Sequence, residues 1–139
     1  MARRRLRPGI LHLPGASNAY IPLSPLNKIK DYALNVEHRK GGPTAKWFRE
    51  KLDIGRDDWE AVHDQIIDRL PSCWVCDYDL DSKWPYGTEW GVEIPIEGRN
   101  GRTCQVHTGW LISSGGYRLK PTLSTLRPCP SSGGATGPA

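Results

Sequence analysis

Residues 88–112 read TEWGVEIPIEGRNGRTCQVHTGWLI, and the period of this stretch decides the fold. Trp90, Val92, Ile94 and Ile96 alternate with Glu89, Gly91, Glu93 and Pro95, the pattern of a strand with one buried face. The Asn100-Gly101 pair that follows is a strong hairpin signal, because both residues tolerate the positive φ that a tight turn demands. On the returning strand Cys104, Val106, Thr108, Trp110 and Ile112 share one face, and Thr103, Gln105 and His107 share the other. If the Val106 and Trp110 face packs on helices, His107 stands on the uncovered face. There an imidazole that titrates near neutrality can act as acid or base.

Outward from the hairpin, CWVCDYDL (73–80) and YRLKPTLSTL (117–126) read as flanking strands, the second preceded by a Ser-Ser-Gly-Gly turn at 113–116. Upstream the period changes to that of helices. SPLNKIKDYALN offers Ser24 as N-cap, Pro25 in the first turn, and Leu26, Ile29 and Ala33 at helical spacing. A second helix starts in GGPTAKWFREKLDI, with Pro43 suited to its first turn and Trp47, Phe48, Lys51 and Leu52 after it. The third, DDWEAVHDQIIDRLP, carries an Asp57 to Glu60 capping box and an apolar stripe of Trp59, Val62, Ile66 and Leu70 closed by Pro71. The expected fold is α+β, with about three N-terminal helices on one face of a C-terminal antiparallel sheet of about four strands. Residues 1–17 read as a mobile basic arm, 18–126 as one domain, and 127–139 as a disordered tail rich in Pro, Gly and Ser.

The chain of 139 residues, 37% hydrophobic and 24% charged, is long enough to bury a core without staples. No apolar run approaches the roughly 18 residues of a membrane span, and the arginine-rich start lacks the apolar segment of a signal peptide. The expectation is therefore a protein acting in the cytoplasm, away from membranes. The net charge of +4 is unevenly spread. Residues 1–19 hold four cations and no anion, residues 20–52 seven against three, and residues 53–81 two against nine. The folded part is near neutral but polarised, so its basic side can still steer a polyanion.

Cys73, Cys76, Cys104 and Cys129 contain one C-x-x-C and no second one. CWVC carries bulky residues where a zinc-binding turn wants small ones, so buried thiols or disulfides are expected, with no bound metal and no cofactor. GGPTAK lacks the spacing of a phosphate-binding loop, and DYDLD at 77–81 lacks the glycine and distal Glu of a calcium loop, which leaves it a solvated turn. His63 lies beside the apolar stripe of the third helix and reads as packing. His12, in the arm, has no assigned role. The connection NVEHRKGGPTAKWF (35–48) is chemically richer than a joint between two short helices requires.

An ordered series of short motifs carries a resemblance over residues 18–126. N-A-Y-I-P, K-I-x-x-Y-x-L-N, a histidine, G-G, A-K-x-F, I-E-G-x-N-G-R-T and P-T-L-S-T are similar to those of an uncharacterised bacterial domain family found alone and at the C-termini of large polymorphic toxins. One departure falls in the loop: where that pattern has a lysine directly before the alanine, this chain has Thr44, with Lys46 two residues later. Toxin context and element order together resemble the small metal-independent ribonucleases related to barnase, RelE and EndoU, an analogy of fold alone.

That resemblance implies RNA as substrate, a tRNA or another cellular RNA, with an immunity or antitoxin protein as a further partner. Cleavage through the 2′-hydroxyl needs a base, an acid and a donor to the charged phosphorane, and no metal. His38 and His107 are the candidate acid and base, with Lys46 and Thr125 completing the catalytic set. Lys28, Arg39, Gly41, Gly42 and Ser124 are the candidates for holding substrate, the two glycines by letting a ligand approach the backbone. The other reading is an accessory module that binds nucleic acid or protein without catalysis.

Overall fold

The computed structural model describes residues 3–115 and 119–129. Five antiparallel strands form one sheet in the order β1-β2-β3-β4-β5: β1 (Arg4–Arg5), β2 (Val75–Asp79), β3 (Gly87–Glu97), β4 (Thr103–Ser113) and β5 (Thr122–Pro128). From β2 to β5 neighbours in sequence are neighbours in space through short connections, whereas β1 pairs with β2 across the whole helical part of the chain. Between β1 and β2 lie a π-helical segment (Lys28–Ala33) and the helices α1 (Gly42–Leu52) and α2 (Trp59–Arg69). The fold is α+β as expected, with five strands where four were expected. The additional strand precedes the helices, so the order is not helices first and sheet second.

The long hairpin is the one that the sequence specifies. β3 and β4 pair from Gly87 with Ser113 to Glu97 with Thr103, and the chain reverses at Asn100-Gly101 with Gly101 at φ 80°. Val92, Ile94, Ile96, Cys104, Val106 and Trp110 are buried on one face. Under them pack Ile29 and Ala33 of the π-helical segment, Phe48 and Leu52 of α1, and Val62 and Ile66 of α2. Thr108 is the polar residue of this face. Its hydroxyl donates to Val92 O (2.7 Å) and accepts from Trp110 Nε1 (2.8 Å), which satisfies both buried groups.

The first helix differs from expectation in start and type. Asn27 caps it, its Oδ1 accepting from the amides of Ile29 (3.0 Å) and Lys30 (2.9 Å), so Ser24 and Pro25 lie outside. Ahead of α2 the capping carboxylate is that of Asp58, which accepts from Gly55 N at 2.8 Å at the start of a 3₁₀ turn (Arg56–Asp58) and makes no side-chain cap to α2 itself. Arg4 and Arg5, expected in a mobile arm, form the edge strand β1 instead, Arg4 pairing with Tyr78 and Arg5 with Asp77. His12 stacks on Trp74 with ring centroids 3.9 Å apart, and its Nδ1–H donates to Cys73 O. Of the expected tail, residues 127–129 are part of the fold, and Cys129 is buried. Residues 130–139 lie outside the described residues, as does the part of the 113–116 turn at Gly116.

No helix among the described residues is long and apolar enough to cross a membrane. Among the described residues no disulfide joins the four cysteines. Cys104 sits on the helix-packed face, while Cys76 lies on the other side of the sheet beside Asp77.

Candidate active site on the helix-free sheet face

The face of the sheet away from the helices carries Asp77, Gly91, Glu93, Gln105, His107, Gly109, Thr125 and Arg127, because side chains alternate and registered partners share a face. His107 is on this face, as the alternation predicts. It is not on an open platform, however, since only 3% of it is exposed. Neighbouring side chains close around the ring.

The reason is a gap in the strand between. His107 Nε2 lies 3.0 Å from Asp77 Oδ2, reaching from β4 to β2 across β3 at Gly91. A Cβ on Gly91 would collide with both the Asp77 carboxylate and the His107 ring. Glycine here is a requirement of the contact. An ionised carboxylate only accepts, so Nε2 carries the proton and donates, which leaves Nδ1 as the free position. His107 Nδ1 is buried and has no hydrogen-bond partner among the described residues. An unpartnered polar atom in such a place is uncommon, and functional sites are where it is found.

Burial works against the charge on Asp77, but the hydrogen bonds and positive charge of His107 and Arg3 outweigh it. The carboxyl is held below its ordinary value. Arg3 Nη1 donates to Asp77 Oδ1 at 2.7 Å. The registered partners of His107 are Glu93 on β3, on the same side as Asp77, and Arg127 on β5, on the far side and exposed. Thr125 is exposed too, its hydroxyl occupying the space that a Cβ on Gly109 would need.

An irregularity in the β2–β3 pairing falls between Val75 and Asp77, at Cys76, so adjacent side chains gather on one side. Cys76, Asp77 and His107 present donor atoms within 4.8 Å of one another, a set with which a metal ion could be held. Burial first, then the charges of Asp77 and Glu93 and the nearby Cys129, push the Cys76 thiol up to about 12. Cys129 Sγ meets Glu93 Oε2. Beside this cluster is a cleft of about 400 Å³, lined by Arg5, Leu6, Trp74, Cys76, Glu93 and Gln105 among others.

The residues proposed in the 35–48 connection are placed elsewhere. His38 Nδ1 accepts from the amides of Lys40 (3.1 Å) and Gly41 (3.0 Å), and its ring packs against Tyr32 with centroids 4.5 Å apart. That imidazole closes a turn in the helical layer and makes no contact with His107. Gly41 and Gly42 are buried, and a Cβ on either would meet a backbone carbonyl, of Tyr32 or of Val36. Their glycine character lets the chain approach itself and leaves no opening for a ligand. Lys46 and Arg39 are exposed on the helical side, and Lys28 lies over the Tyr32 ring at 5.8 Å. Ser124 falls at an irregularity of the β4–β5 pairing, between residues registered with Gly109 and Trp110. Of the residues proposed from sequence, the structure brings together His107 and Thr125.

Asp77, Gly91 and Arg127 were missed. Their sequence signal was weak: Asp77 sits in an acidic run that resembles a turn, and pairing across a third strand leaves no local pattern.

The class defined by this fold and face is an α+β domain in which a half-buried Asp holds a buried His on the helix-free side of an antiparallel meander. The family model for a domain of unknown function, DUF6883, matches residues 12–126, so the chain belongs to that family. The match contains Asp77, Gly91, His107 and Thr125. No curated protein and no solved structure matches the chain.

Proposed function

We propose that this protein is a metal-independent endoribonuclease of the toxin type, working from the Asp77–His107 pair. The observation that supports this reading best is the pair itself: a buried imidazole fixed at Nε2 by a half-buried carboxylate, with Nδ1 unpartnered among the described residues on the sheet face free of helices. A carboxylate so placed sets the tautomer and the orientation of the ring.

In the reaction, Glu93 takes the proton from the 2′-hydroxyl, and the 2′-oxygen attacks phosphorus. The bond to the 5′-oxygen breaks, and that oxygen receives the Nδ1 proton of a doubly protonated His107 once the side chains that cover the ring have parted, while Nε2–H stays on Asp77. The products are a 2′,3′-cyclic phosphate and a 5′-hydroxyl, and no metal enters the balance. Arg127, in register with His107, and the Thr125 hydroxyl face the charge that gathers on the phosphorane. This arrangement replaces the two-histidine mechanism, since His38 belongs to the helical layer.

The burial of His107 favours a second reading, a non-catalytic module that binds nucleic acid or protein and uses the pair as structure. Incubation with total RNA in excess chelator separates the two. The nuclease gives discrete fragments ending in cyclic phosphate, and the His107→Ala variant gives none above background. A mobility shift without fragments overturns the nuclease reading.

A further inference from the structure

We propose that Arg3 is a positioning residue for the Asp77–His107 pair, held in place by the two-residue edge strand that directly follows it, ahead of the family-matched region. The pairing of Arg5 with Asp77 puts the side chains of Arg3 and Arg5 on the face of the sheet that carries His107, and Arg4 on the opposite one. Arg3 Nη1 donates to Asp77 Oδ1 at 2.7 Å, and His107 Nε2 lies 3.0 Å from Asp77 Oδ2. The two oxygens of one carboxylate are thus divided between two donors, one on β4 and one just before β1.

A carboxylate held by a single partner can turn and exchange its oxygens, and its partner follows. With both oxygens engaged, Asp77 has one orientation, and so does the ring attached to it. The guanidinium is itself anchored: Arg3 Nη2 lies 3.7 Å from Glu89 Oε1, the oxygen that also accepts from Ser82 Oγ at 2.8 Å. A chain of contacts therefore runs from the β2–β3 connection through Glu89, Arg3 and Asp77 to His107. Its weakest element is β1, which spans two residues and pairs with β2 alone. Beyond it, Leu6 N donates to Cys76 O at 2.9 Å and continues the attachment.

The contacts of Arg3 among the described residues are with Asp77 and Glu89, and none is with the His107 ring itself. Loss of Arg3 acts through Asp77, on the fraction of time that His107 is aligned, and not on RNA affinity. Outer partners that orient an imidazole are typically worth about 10- to 100-fold. The expected kinetic result rests on the nuclease reading: Arg3→Ala lowers kcat by about that factor with KM little changed, and Arg3→Lys restores part of the loss.

The deciding experiment needs no RNA. In the full chain labelled with ¹⁵N at the histidine rings, the wild type shows a His107 Nε2–H that exchanges slowly with solvent and a single tautomer. Arg3→Ala should speed that exchange by about tenfold or more and shift the ring nitrogens, with Arg3→Lys in between. Arg4→Ala, on the same strand but the opposite face, should match the wild type. The proposal is overturned if Arg3→Ala matches the wild type, or if Arg4→Ala changes the ring as much, for then the strand and not the side chain is responsible. Absence of RNA cleavage by the wild type would sink the nuclease reading and leave the spectroscopic result standing.

Discussion

The connection at 35–48 and the helix-free sheet face use the same residue types for opposite ends. In the connection, His38 takes two backbone amides on one ring nitrogen, and Gly41 and Gly42 let carbonyls of their own chain come close. On the sheet, His107 takes one carboxylate on Nε2 and leaves Nδ1 unpartnered, and Gly91 lets that carboxylate and ring meet. A histidine whose neighbours satisfy it holds a turn together. One with an unsatisfied nitrogen at a buried position has chemistry still available. Residue type and local crowding do not distinguish the two, whereas hydrogen-bond accounting does.

The sharpest way to break this comparison is to remove each histidine. His107→Ala should lower the rate of RNA cleavage by about 10²- to 10⁴-fold, the usual yield of one acid or base, in a single-turnover assay. His38→Ala should leave that rate within about twofold and instead lower stability by about 1 kcal/mol, as loss of a cap does, measured by denaturant unfolding. Equal losses of rate in both would return the active centre to the helix connection.

The glycines offer a second contrast. Gly91→Ala forces apart Asp77 and His107, and Gly41→Ala meets the Tyr32 carbonyl, so each should cost about 1–3 kcal/mol in stability. At a temperature where both variants are fully folded, only Gly91→Ala should have lost cleavage. Activity retained in Gly91→Ala would show that the cross-strand contact is dispensable.

A smaller effect is expected in acid. The Asp77 carboxyl lies below its ordinary value in the folded chain, so its contribution is complete above the ordinary value, near pH 4, and drains away as pH falls through the folded one. Asp77→Asn should be less stable than wild type at pH 7, and the gap should narrow below about pH 4. A gap that stays constant across an acid titration of thermal stability would mean that the carboxylate charge contributes nothing.

The least conspicuous consequence concerns Cys76. With its thiol raised to about 12, chiefly by burial, it stays protonated at neutral pH and should react slowly with iodoacetamide until the chain unfolds. Rapid alkylation of Cys76 in the folded protein, read by mass spectrometry, would contradict the crowded, anionic surroundings described for it.

The sequence by itself determined the α+β class, the β3–β4 hairpin with its turn at Asn100-Gly101, helices α1 and α2, and the face to which His107 belongs. Each of these depends on periods of 2 or 3.6 residues and on turn chemistry, which are local and survive in one dimension. Only the tertiary structure decided that Arg4 and Arg5 close the sheet as a fifth strand, that Asp77 leaves its acidic run to hold His107, and that His38 stays in the helical layer. Asp77, Gly91 and His107 come from three strands and Arg3 from the residue before a fourth, and Asp77 and His107 are separated by 30 positions. Strand register brings them together, and register is set by the packing of the whole buried face, which no short window of sequence contains.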